Sequence, residues 1–285
     1  MKTAHQIRNS QSVICNSNSP IGMFDSGVGG LTLFKSIKTL LPKENLIYFG
    51  DTAHVPYGTK SPDVIKKFSL QIARFLENLG IKALVVACHT ASSTALSDLK
   101  KKIKIPVVGV IEPSAQKAIT ITKNNNIGII GTKTTIESGS YQSFIQKANP
   151  KISITTVAAP LLVPLVEEGW INKKVTRSVL QEYISPFKKA QIDTLILGCT
   201  HYPIIKRLFR EELGLGVTLV DASLETALYL KQLLREKLLI NNRRSSPNYS
   251  FYVSDDPNKF SQLAQMFLGE KIEVIKPVAL KDWDY

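Results

Sequence analysis

Short unbroken apolar runs alternate with longer stretches of helical spacing along most of this chain. Ile21-Gly22-Met23-Phe24, Leu46-Ile47-Tyr48-Phe49, Leu84-Val85-Val86-Ala87 and Val107-Val108-Gly109-Val110-Ile111 are runs of the first kind. Uniformly apolar runs mark strands covered on both faces, as in a parallel sheet. Between them Leu31, Phe34, Ile37 and Leu41 recur at three- and four-residue intervals, and residues 64–79 and 92–103 carry the same signature. This alternation predicts an α/β fold with parallel sheets.

The pattern then restarts. Ile127-Gly128-Ile129-Ile130-Gly131-Thr132 repeats the shape of Ile21-Gly22-Met23-Phe24-Asp25-Ser26, and the run ending at Cys199 repeats the run ending at Cys88 after a nearly equal displacement. Such repetition predicts two pseudosymmetric parallel-sheet α/β lobes with a site between them. The expected boundaries are a flexible N-terminal extension over 1–19, a first lobe over 20–113 completed by 222–285, and a second lobe over 114–221. Glu112-Pro113 is read as the crossing between lobes. Helices are expected over 138–147 and 173–189, an irregular Pro-containing wall over 159–170, and closing strands over 251–254 and 272–275.

Ligands of open α/β sheets bind beyond the carboxyl ends of the strands, so residues just past each apolar run carry the chemical interest. Two runs end in Cys88-His89-Thr90 and Cys199-Thr200-His201. A third ends in Asp25-Ser26-Gly27-Val28-Gly29-Gly30, a glycine-rich turn whose N–H groups suit an anion. It matches neither G-x-G-x-x-G nor a P-loop, which points to a carboxylate rather than a nucleotide. Asp25 and Ser26 also fit plain helix capping. Tyr57-Gly58, in the loop after Asp51, offers a hydroxyl and free backbone N–H groups, though Tyr57 equally suits packing and Asp51 a turn cap. Glu167 follows an apolar run in the Pro-containing wall and reads either as a site carboxylate or as an exposed glutamate at a helix start.

Composition narrows the setting. The 285 residues are 44% hydrophobic and 21% charged, an ordinary globular balance. The net charge of +13 comes from lysines scattered over helix faces and loops, with no basic stripe interleaved with aromatics, so no specific nucleic-acid partner is expected. Three cysteines without C-x-x-C spacing argue against a disulfide framework and a structural zinc site. Cys88, His89, Cys199 and His201 lack regular metal-ligand spacing, and no metal is expected. The polar first nineteen residues have no signal-peptide core, and no apolar run reaches about 20 residues. A cytoplasmic protein without a membrane partner is the expectation.

A lone strand-end cysteine is usually a small buried hydrophobe. Two in matching positions, each followed by polar residues, read instead as paired acid/base groups, with His201, Asp25 and Glu167 placed to relay protons. Opposed proton donors and acceptors suit a reaction in which a proton leaves one face of a carbon and another arrives at the opposite face: racemisation or epimerisation. A Cys-His-Asp hydrolase would leave the second thiol without a task. A non-catalytic two-lobed amino-acid-binding protein would keep its affinity when both thiols are replaced.

Five segments then carry a resemblance: residues 24–30, 50–58, 86–92, 164–169 and 197–203, from Phe24-Asp25-Ser26-Gly27 to Leu197-Gly198-Cys199-Thr200-His201-Tyr202-Pro203. Together, in this order, they resemble glutamate racemases of the aspartate/glutamate racemase superfamily. The resemblance implies a cofactor-independent enzyme, usually a homodimer, interconverting L- and D-glutamate to supply peptidoglycan synthesis. It implies Cys88 as base toward D-glutamate and Cys199 toward L-glutamate, Asp25 assisting the first and His201 with Glu167 the second. It implies substrate contacts at Asp25, Ser26, Tyr57, Gly58, His89, Thr90, Thr132, Thr200 and His201. Three positions depart from the family's habit: His89 stands where asparagine is usual, His54 where arginine is common and Ala159 where cysteine is common. His89 is the departure expected to alter pH profile or substrate preference, towards aspartate for instance.

Overall fold

The computed structural model describes residues 16–243 and 245–280. Cys15 and most of the extension expected over 1–19 lie outside the described residues. Along the chain run β1 (Ile21–Asp25), β2 (Leu46–Gly50), β3 (Ala83–Val86), β4 (Val107–Gly109), β5 (Asn126–Gly131), β6 (Ser153–Ala158), β7 (Thr194–Gly198), β8 (Thr218–Asp221), β9 (Tyr249–Val253) and β10 (Ile275–Pro277). They form two sheets, β10-β9-β2-β1-β3-β4 and β6-β5-β7-β8, and every strand pair is parallel.

The repeat read in the sequence is a repeat of topology. In each sheet the first strand of the set lies between the second and the third, with the fourth outside the third. Register agrees as well: Ile21 faces Ala83 across β1 and β3, and Ile127 faces Thr194 across β5 and β7.

Helices α1 (Leu31–Leu40), α2 (Pro62–Asn78), α3 (His89–Thr94), α4 (Leu96–Lys102), α5 (Ile111–Ile121), α6 (Lys133–Glu137), α7 (Ser140–Ala148), α8 (Leu162–Glu167), α9 (Lys174–Lys189), α10 (Lys206–Leu213), α11 (Ala222–Glu236) and α12 (Pro257–Leu268) cover the sheets. Strand pleating splits each run between two cores. Met23 and Val85 face the cluster that contains α1 and α11 residues and continues through α5 into the second sheet. Phe24, Leu84 and Val86 face the opposite cluster under α2, α3 and α4. Both faces are therefore apolar, which is why the strands read as continuous runs.

Several expected boundaries shift, each for a local reason. The helix expected from residue 92 begins at His89, because His89 and Thr90 sit buried in its first turn rather than in a loop. The Pro-containing wall holds α8, with Pro164 at its third position, where no intrahelical N–H bond is lost. Pro113 occupies the same position in α5, so the expected crossing at Glu112-Pro113 is helical. The closing strand lies at Ile275–Pro277 rather than over 272–275. At the amino ends of the strands, remote from the cysteines, buried Lys82 binds Glu44 (2.5 Å) and the carbonyls of Ser17 (2.6 Å) and Leu239 (2.8 Å).

Candidate active site

Cys88 follows β3 and forms the N-cap of α3, while Cys199 follows β7 directly. Each thiol stands past the carboxyl end of a parallel strand in its own sheet, and both line one cavity of about 30 Å³. Ser26, Tyr57, Gly58, Cys88, His89 and Thr90 line it from one side, and Thr132, Cys199, Thr200 and His201 from the other. That volume holds about two water molecules. Larger hollows of about 300 Å³ beside Arg177 and about 660 Å³ between α4 and α7 hold no thiol. The small cavity is where the reactive groups converge, and convergence outweighs size here.

Around Cys199, Sγ lies 3.8 Å from His201 Nδ1, and His201 Nε2 lies 2.9 Å from Glu167 Oε1. Burial works against charge on His201, but hydrogen bonds to Cys199 and Glu167, with their charges, outweigh it and hold the imidazole up at about 10. Burial likewise opposes charge on Glu167, yet the hydrogen bond and charge of His201, with Lys259, bring its carboxyl below the ordinary range. Glu167 ends α8 rather than starting a helix, which corrects its reading as a helix-start residue and places it against the imidazole. Phe267 of α12 packs edge-on to that ring, centroids 5.2 Å apart.

The surroundings of Cys88 differ. Its sulfur lies 3.7 Å from Ser26 Oγ, with the carboxylate of Asp25 close enough to act on it. Burial first, and the Asp25 charge second, push the Cys88 thiol up to about 12. Asp25 itself is fully buried beneath the cavity rather than on its wall. Burial raises its carboxyl, opposed by His201, by the N–H groups of Gly27 and Gly30, and by the Thr200 hydroxyl, which donates across the lobes at 3.4 Å. Two N–H groups of the glycine-rich turn are thus committed to the chain's own carboxylate.

Gly29 makes the interlobe approach possible. A Cβ there would lie 2.2 Å from Thr200 Oγ1 and 2.7 Å from His201 Nδ1. The threonines also meet across the seam: Thr90 Oγ1 is 2.9 Å from Thr132 Oγ1, which is 2.9 Å from Thr135 Oγ1. Thr134 donates to the Gly58 carbonyl at 2.9 Å.

Tyr57 lines the cavity, but its hydroxyl donates to Asp51 (2.5 Å), leaving its ring and backbone as the groups it can offer. Asp51, read as a turn cap, is a buried anchor that also accepts from the Ser254 hydroxyl (2.7 Å) and contacts His54 Nδ1 (2.8 Å). His54 stacks on Phe68, and buried Ala159 accepts from the Tyr202 hydroxyl; neither departure lines the cavity. Val55 and Pro56 of the loop after β2 and Val163 of α8 do line it, and an apolar residue at such a position carries no chemical signal in the sequence. Among the described residues no group of three or more His, Cys, Asp or Glu is placed to hold a metal ion. No described helix is long and apolar enough to cross a membrane.

The chain is similar to known proteins over most of its length. The family profile described as Asp/Glu/Hydantoin racemase matches residues 21–228. A glutamate racemase of Geobacter metallireducens is 48% identical over 261 residues, covering 92% of this chain and 97% of its own. The crystal structure of a Francisella tularensis glutamate racemase in complex with D-glutamate superposes with a TM-score of 0.88 at 41% identity, covering 94% of this chain and 100% of the other. A glutamate racemase isoform from Bacillus anthracis superposes at 0.90 with 37% identity, covering 93% and 99%.

Proposed function

The chain belongs to the Asp/Glu/hydantoin racemase family, and on that premise we propose that it interconverts L- and D-glutamate without a cofactor. The observation that carries this reading is the pair of strand-end thiols lining one cavity from opposite lobes. One sulfur, as thiolate, takes the proton from Cα while the other, as thiol, returns one to the opposite face. Cys88 serves D-glutamate and Cys199 L-glutamate, each acting as acid in the reverse direction. His201, braced by Glu167, manages the proton of Cys199, and Asp25 bears on that of Cys88. Ser26, Gly58, Thr90, Thr132 and Thr200, with the backbone of Tyr57, hold the substrate. Among the described residues no lysine lines the cavity to form a Schiff base with pyridoxal phosphate.

The relatives named as glutamate racemases support glutamate as substrate. D-glutamate would serve peptidoglycan synthesis in the cytoplasm, where reduced thiols persist, and the enzyme would act as a homodimer. The test is incubation of purified full-length protein with L- or D-glutamate in deuterium oxide without added cofactor. Loss of optical rotation together with Cα deuteration is the expected result. Tight binding without either would leave only a binding protein.

A further inference from the structure

Tyr48 carries a hydroxyl where packing alone asks for none. It belongs to the apolar run that forms β2 and is fully buried, its ring set among Phe34 of α1, Phe251 of β9 and Phe260 of α12 with centroids 6.2, 6.4 and 6.0 Å away. A phenylalanine would fill that space equally, and a buried hydroxyl costs free energy unless it finds a partner. Tyr48 finds one in the glycine-rich turn, where its hydroxyl donates to the Gly27 carbonyl at 2.8 Å. Burial, with the charges of Asp25 and Cys88, holds the phenol well above its ordinary range, so the group stays a donor.

The turn is shaped to receive it. A Cβ on Gly30 would lie 2.9 Å from the Tyr48 hydroxyl oxygen and 2.7 Å from the Asp25 Cβ, and one on Gly50 would lie 2.8 Å from the Gly27 carbonyl oxygen. At its other end Gly27 donates its N–H to Asp25 Oδ2 at 3.1 Å. Glycine has little conformational preference of its own, and here both its backbone groups are fixed, the carbonyl by Tyr48 and the N–H by Asp25. Ser26, between Asp25 and Gly27, sets its Oγ 3.7 Å from the Cys88 sulfur. The setting of Gly27 therefore governs both groups that act on Cys88.

We propose that Tyr48 is a positioning residue for the racemase reaction, its hydroxyl fixing Gly27 so that the turn's N–H stays on the Asp25 carboxylate and Ser26 stays against Cys88. The proposal rests on the racemase reading above. Tyr48 does not line the cavity, so it acts through Asp25 and Ser26 and not on the substrate. Burial raises the Asp25 carboxyl, and the Gly27 N–H is one of the groups opposing that rise. Without the phenol to hold the turn, that donor is loosened and Asp25 takes up a proton more readily.

The experiment compares wild type, Tyr48→Phe and Phe34→Leu, the last loosening the packing against the same ring while leaving the hydroxyl in place. Glutamate racemisation is followed across pH, and the Asp25 carboxyl is titrated by 13C NMR in aspartate-labelled protein, assigned by its loss in Asp25→Asn. Tyr48→Phe should lose about 10- to 100-fold in kcat with KM moving little. Its Asp25 carboxyl should titrate about one pH unit higher than in wild type, carrying the acid limb of kcat/KM with it. Phe34→Leu should keep the wild-type kcat and the wild-type Asp25 titration. A Tyr48→Phe variant with wild-type kcat, an Asp25 titration that does not move, or the same two changes in Phe34→Leu would overturn the proposal. In wild type labelled with 13C at the tyrosine Cζ, the Tyr48 signal should shift as Asp25 titrates. A signal indifferent to that titration would also overturn it, a result available even where a variant does not fold. Failure of the racemase reading looks different: wild type itself would neither racemise nor deuterate glutamate, while the Tyr48 and Asp25 signals would still move together.

Discussion

The Cys88 half and the Cys199 half of the site share a backbone plan and differ in charge. Each thiol stands past a parallel strand at the same place in its lobe. Cys88 has a buried carboxylate and a hydroxyl beside it, and its proton is held tightly. Cys199 faces an imidazole that the thiol itself and Glu167 together hold up at about 10. A duplicated fold thus places two groups symmetrically without making them equivalent, because the following side chains set the electrostatics.

For a racemase that asymmetry has a definite limit. Mirror-image amino acids have equal free energy in water, so kcat/KM must be the same in both directions at every pH. The difference between the halves can appear only in kcat and KM taken separately, in thiol reactivity, and in when solvent deuterium enters.

The severest test of the pairing is removal of either sulfur. Cys88→Ser and Cys199→Ser should each lower racemisation by at least about 1000-fold in both directions, measured by circular dichroism of the substrate. One variant that keeps the wild-type rate would show that the halves are not partners. A smaller effect sharpens the contrast: Asp25→Asn removes the charge that disfavours the Cys88 thiolate, so alkylation of Cys88 by iodoacetamide at pH 8 should speed up by about tenfold. Alkylation of Cys199 should change less, and equal acceleration would deny that Asp25 belongs to one half.

The mildest effect is on stability. His201 binds its proton more tightly folded than unfolded, about 10 against an ordinary 6.5. Its contribution is therefore complete below about pH 6.5 and is lost as pH rises through about 10. Urea midpoints should fall across that window, and Glu167→Gln should move the fall to lower pH. Identical profiles for the two proteins would separate Glu167 from the imidazole.

Much of this was legible in the sequence because it is local. Strands covered on both faces write themselves as apolar runs, and Cys88 and Cys199 stand out by following two of them. Contacts made by distant parts of the chain were not legible. Asp51 looked like a cap because Ser254, its partner, comes from beyond β9. Glu167 looked exposed because nothing nearby in sequence announces His201. Tyr57 offered a hydroxyl on paper, and folding commits it to Asp51. The start of α3 was missed because His89 and Thr90 look like loop residues when the burial that surrounds them is unseen.

At Gly29 the two jaws of the cleft bite on a spot where a carbon atom has been left out. A methyl group there would act as a doorstop, propping the mouth ajar at Thr200 and His201 and holding the two sulfurs further apart. The shut position is thus gauged by a residue with no side chain, and one alanine would be enough to lose it.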